Sequence, residues 1–122
     1  MILSKEEIDL IIDKLVDSIK AEIDGALKKV ILFGSYARGD YKDYSDLDVM
    51  FLVDSIDLNK MYEHICKETN DLGLEYLVMV SCVFQDISWF YHVIDYNSFY
   101  KNVEKEGVVY YDATSANYIG PS

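Results

Sequence analysis

Two aspartates one residue apart, Asp46 and Asp48, and a Gly34-Ser35 pair ten residues before them are the part of this chain equipped for chemistry. An apolar run, Val30 to Phe33, stops at Gly34, and another, Val49 to Val53, begins directly after Asp48. Successive side chains of a strand alternate between faces, so Asp46 and Asp48 would project together, roughly 6.5 Å apart. Like charges that close repel unless something positive sits between them. A hard divalent cation such as Mg2+ suits the place, because it takes oxygen ligands and leaves room for substrate phosphates. Gly34 permits close backbone approach, and Ser35 offers a hydroxyl and an amide to a phosphate oxygen. A short helix starting there would add free N–H groups and a favourable dipole. The plain alternative is a solvated turn rich in Asp and Gly.

The elements that must position these residues read clearly in most places. Lys28 to Phe33 and Asp46 to Val53 form two strands, with a short helix over Tyr36 to Gly39 between them. Arg38 is a candidate phosphate contact, or a partner for Asp40 or Asp43. Upstream, Ser4 and Glu7 have capping-box spacing. Ile8, Ile11, Ile12, Leu15, Ile19 and Ile23 then make one apolar stripe of a helix ending near Asp24-Gly25. A second helix spans Asn59 to Asn70, buries Met61 and Ile65, leaves His64 on the surface, and stops at Leu72-Gly73. The unbroken apolar run Leu74 to Phe84 predicts a central strand. Asp86 or Ser88 starts a last helix that carries Trp89, Phe90, Val93 and Ile94 inward and is interrupted at Asn97. Gly107 ends it, and Val108 to Tyr111 add an edge strand. The fold class is α/β: a mixed sheet of about four strands with helices mainly on one face. Residues 113–122 read as a loosely held tail outside a single domain, 1–112.

Composition narrows the partners. With 22 acidic against 11 basic residues the formal charge is −11, a field that repels nucleic-acid backbones. A basic protein partner or a metal-carried nucleotide fits better. No stretch reaches the length of a membrane span and the N-terminus lacks a signal pattern, so a cytoplasmic location is expected. Cys66 and Cys82, the only cysteines, have no metal-ligand spacing and are expected to be buried thiols.

Gly34-Ser35, ten residues, then Asp46-x-Asp48 after an apolar strand resembles the signature of the polymerase-beta-like nucleotidyltransferases. Within that superfamily the chain resembles the small minimal nucleotidyltransferases, many of them antitoxins paired with HEPN-domain toxins. The resemblance covers residues 5 to 112, including the late segment Lys101 to Val108. It implies transfer of AMP from Mg-ATP to a hydroxyl, with Asp46 and Asp48 as catalytic metal ligands and Gly34, Ser35 and Arg38 at the nucleotide. It further implies a HEPN toxin as partner, silenced by modification of a tyrosine, and association with that partner or with itself. The alternatives are an aminoglycoside-type small-molecule transferase and an antitoxin that neutralises by contact alone. Relatives often carry a third acid on the strand beside the D-x-D strand. Here that position falls on Met79, which cannot act as a base. Glu75 is the nearest candidate, sharing the face of Met79 by alternation but about 13 Å away along a strand.

Overall fold

The start signal at Ser4 does what its spacing dictates. In the computed structural model, which describes residues 2–113, Ser4 Oγ accepts the Glu7 N–H at 3.1 Å and Glu7 Oε1 accepts the Ser4 N–H at 2.8 Å. Helix α1 follows over Lys5–Ile23 and buries Ile11, Ile12, Leu15 and Ile19 completely. Each such side chain contributes roughly 1.5–3 kcal/mol relative to an exposed one. Packing of this stripe therefore holds the helix more than intrinsic propensity does.

After a 3₁₀ turn at Asp24–Ala26, the chain forms β1 (Leu27–Phe33), the short α2 (Ser35–Arg38), β2 (Leu47–Val53) and α3 (Leu58–Tyr76). It continues through β3 (Val80–Asp86), α4 (Ile87–Val93), a 3₁₀ turn at Ile94–Tyr96, α5 (Ser98–Glu106) and β4 (Val108–Asp112). The four strands lie in the order β3-β2-β1-β4. β2 and β3 run parallel, and the other two pairs are antiparallel. This is the mixed sheet anticipated, with β4 as the expected edge strand.

Side-chain alternation gives each face its own cover. Val30, Leu32, Val49, Phe51 and Val53 pack under the two long helices, α1 and α3. Ile31, Met50 and Leu52 point the other way, against Phe90 of α4 and Tyr100 and Val103 of α5. The long helices thus share one face, and the shorter pair closes the other. No helix among the described residues is long and apolar enough to cross a membrane.

Three expectations need correction. The second helix does not stop at Leu72-Gly73 but runs to Tyr76, and the strand expected from Leu74 starts only at Val80. Gly73 stays helical, and the N–H groups of Leu77 and Val78 both return to its carbonyl, with Leu77 in the left-handed cap at φ 54°. A Cβ at Gly73 would meet the Val78 carbonyl oxygen at 2.8 Å, so glycine here serves the returning chain rather than ending the helix. The apolar run misled because Leu74 and Leu77, 78% and 67% exposed, are not core residues; an unbroken apolar stretch cannot separate a buried strand from a helix end.

Trp89 is the second correction: it is 53% exposed, while Phe90 alone of α4 is fully buried. The last helical segment is indeed divided at Asn97, whose side chain caps α5 through the Tyr100 N–H at 3.0 Å. Third, Cys66 is exposed on α3 and not a buried thiol. Cys82 is partly buried, and its surroundings push the thiol up to about 12. His64 sits between α1 and α3, with Nε2 beside the Ser18 hydroxyl and carbonyl. The tail expected over 113–122 falls, from residue 114 on, outside the described residues.

Candidate active site

Asp48 lies in the middle of three strands. Across the sheet it is flanked by Phe33 of β1 on one side and Ser81 of β3 on the other. Like Met50 and Leu52, it belongs to the face that α4 and α5 cover. Those helices reach only part of that face, leaving Asp48 half-buried at the strand end. Asp46, exposed just ahead of β2, adds its charge from nearby. Burial first, and then the Asp46 charge, push the Asp48 carboxyl up to about 6, while Arg38 pulls it back. The two acids are therefore electrostatically coupled, and the charge of one raises the cost of ionising the other.

Gly34 closes the site from the β1 side. It has φ +78°, and a Cβ there would overlap Asp48 Oδ2 and come within 3.2 Å of Asp48 Cγ. Only glycine fits the carboxylate this closely. Ser35 begins α2 immediately afterwards, and the N–H groups of Ala37 and Arg38 both donate to the Gly34 carbonyl at 3.1 Å. The fold thus sets Gly34, with Ser35 next in the chain, directly against Asp48, and leaves Asp46 within electrostatic reach of Asp48.

Arg38 resolves toward pairing with acids. Its Nε donates to Asp40 Oδ2 at 3.1 Å and lies 3.7 Å from Glu106 Oε2. It also borders a recess of about 190 Å³ with Phe33, Gly34, Phe99, Asn102 and Glu106. Asn102 and Glu106 lie in the late segment that carries the resemblance, but neither they nor Phe99 were placed at the site, because α5 is brought to the β1 end only by the tertiary fold.

Glu75 is not brought to the strand beside Asp48. It lies exposed near the end of α3, where strand alternation with Met79 has no meaning. The neighbours of the two aspartates on β3 are Ser81, paired with Asp48, and Met79, whose carbonyl accepts the Leu47 N–H at 2.9 Å just ahead of the strand. Ser81 went unnoticed because it becomes visible only once the register of β3 is known.

The donor set suits a magnesium ion. Asp46 and Asp48 lie within electrostatic reach of one another, and the proton affinity of Asp48 is raised first by burial and then by the Asp46 charge. Among the described residues no group of three or more His, Cys, Asp or Glu could hold a metal. Mg2+ commonly accepts just one or two protein carboxylates and takes its remaining oxygens from water and substrate phosphates.

Comparison with known proteins shows the family. Residues 12–110 match the model of the nucleotidyltransferase domain family. A Methanocaldococcus jannaschii protein, provisionally named a protein adenylyltransferase, is 36% identical over 100 residues, covering 82% of this chain and 94% of its own. A Sulfolobus solfataricus crystal structure, provisionally named a nucleotidyltransferase, superposes with TM-score 0.57 at 20% identity, covering 93% of both chains. A toxin–antitoxin crystal structure with AMP-PNP superposes with TM-score 0.56 at 18% identity, over 91% of this chain and 78% of its own. The chain belongs to the nucleotidyltransferase domain family and is a nucleotidyltransferase.

Proposed function

We propose that the protein transfers AMP from Mg-ATP to a hydroxyl of a partner protein, a tyrosine of a HEPN-type toxin, and so acts as an antitoxin. The observation that carries this reading is the fit of Gly34 against Asp48, which sets a glycine-serine turn directly beside a carboxylate. In the transfer, the acceptor oxygen forms a bond to the α-phosphorus and the α–β bridging P–O bond breaks. Pyrophosphate leaves with the electron pair, and the hydroxyl proton passes to water.

Asp46 and Asp48 would hold Mg2+, which when bound supplies positive charge to the triphosphate. Gly34 and the Ser35 amide and hydroxyl hold the β- and γ-phosphates. Arg38 exchanges carboxylate partners for phosphate oxygens. Protein acceptors are supported by the name of the Methanocaldococcus jannaschii relative, and a toxin partner and adenine nucleotide by the toxin–antitoxin structure with AMP-PNP. Incubation with ATP labelled at the α-phosphate, Mg2+ and the partner tests the proposal: label should appear on the partner and vanish with Asp48→Asn.

One observation favours a second reading. Neither Met79 nor Ser81 can take the acceptor proton as a carboxylate would. An antitoxin that works by contact alone predicts that an Asp46→Asn, Asp48→Asn double variant still protects cells.

A further inference from the structure

We infer that the acceptor arrives from the β3 side of the carboxylates, on the exposed apolar ledge of Leu74, Leu77 and Met79, carried by a protein segment with an apolar centre and a lysine- or arginine-rich rim. This rests on the proposed AMP transfer and adds where the acceptor lands and what it is made of.

The direction follows from the sheet order. Gly34, Ser35 and Arg38 follow β1, on one flank of Asp48, whereas Ser81 and Met79 lie on the opposite flank. A triphosphate tail held at Gly34-Ser35 puts the departing pyrophosphate on the β1 flank. Attacking and leaving oxygens lie roughly in line across the transferred phosphorus, so the hydroxyl must come from the β3 flank.

What stands on that flank is apolar and unpaired with any core. Leu74 is 78% exposed, and Leu77 and Met79 are each 67% exposed. They border a concavity of about 630 Å³ with Thr69 and Asn70. Met79 and Thr69 continue into a second hollow that includes Asp46 and Ser81, so the ledge runs on to Asp46. Contiguous exposed apolar groups with a polar border mark interaction sites. The border is acidic: Asp71 and Glu75 are exposed beside the ledge, and the nearby Lys67 is already tied to Asp71 at 2.8 Å. Charge complementarity therefore selects a basic-rimmed protein segment over a nucleic acid or an acidic peptide.

The test uses the full chain, Mg-ATP labelled at the α-phosphate, and two defined peptides. One carries a single tyrosine between leucines with lysines at both ends; the other has glutamates in place of the lysines. Wild type should label the lysine peptide about tenfold faster than the glutamate peptide. A Leu74→Ser, Leu77→Asn, Met79→Ser variant should lose about tenfold in that rate while calorimetry shows unchanged Mg-ATP affinity. Asn is chosen at position 77 because it tolerates the left-handed cap. A second variant, Asp71→Lys, leaves every apolar contact in place and should slow the lysine peptide severalfold. Equal rates for wild type and both variants, a preference for the glutamate peptide, or Mg-ATP bound with neither peptide labelled would each overturn the docking proposal. Absence of Mg-ATP binding by wild type would instead overturn the transfer reading beneath it, and the calorimetric arm reports that separately.

Discussion

Gly34 and Asp48 occupy one another's space: the position a Cβ would take on Gly34 is filled by the Asp48 carboxylate. Gly34→Ala should therefore do two separable things. The backbone at φ +78° becomes strained by about 1 kcal/mol, lowering thermal stability. The carboxylate must also move, and a displacement of about 1 Å can cost on the order of 100-fold in rate. A variant that keeps full transfer activity would refute the close fit as a functional feature.

Asp48 predicts an inverted pH dependence. Its carboxyl is raised from 3.8 to about 6 in the folded protein, so between those values the native state holds the proton the unfolded chain has lost. Stability then falls as pH rises through that window, and the cost of the charged form persists above it. Asp48→Asn should stabilise the metal-free protein at pH 7–8, by about 1 kcal/mol after allowing for solvent screening of a half-exposed group, and gain nothing near pH 4. Urea melts at the two pH values check this.

The same carboxylate links proton and metal. Only the ionised pair offers hard oxygen donors, so Mg2+ or Mn2+ binding should weaken as pH drops below about 6. Titration of Mn2+ by its paramagnetic signal should show this for wild type. An Asp46→Asn, Asp48→Asn double variant should show no binding at any pH.

Arg38 stands between its two acids and the Gly34 recess. Arg38→Met should weaken triphosphate binding by roughly tenfold, the scale of one lost charge-assisted hydrogen bond. Glu106→Gln should strengthen it, since a competitor for the guanidinium is removed. Both are read by ATP titration at fixed Mg2+. Equal affinities across the three proteins would exclude Arg38 from the phosphate site.

Asp86 joins two elements away from the chemistry. Its carboxylate accepts the Trp89 N–H at 3.1 Å, capping α4, and the Ser55 N–H at 3.1 Å. These amides hold its carboxyl below the ordinary value, so the stability it contributes is present above the unfolded value near 3.8 and lost as pH falls through the folded one. Asp86→Ala should cost about 1 kcal/mol, a typical helix-cap loss, at neutral pH.

Local pattern alone determined a good deal here. The Ser4 cap, the stripe of α1, both strands around Gly34 and the Asp46-Asp48 pair are visible because each depends on neighbours within a few residues, where period and turn chemistry act directly. The family resemblance was legible for the same reason, since its signature spans one strand–turn–strand unit. Tertiary structure alone decided the rest. The length of α3 depended on how Val78 folds back over Gly73, a contact no periodicity encodes. Which β3 residue faces Asp48 depended on strand register, which placed Ser81 there and left Glu75 out on a helix. The raised proton affinity of Asp48, the acids on Arg38 and the ledge beside Met79 arise from segments far apart in the chain, because burial and charge are properties of the assembled surface.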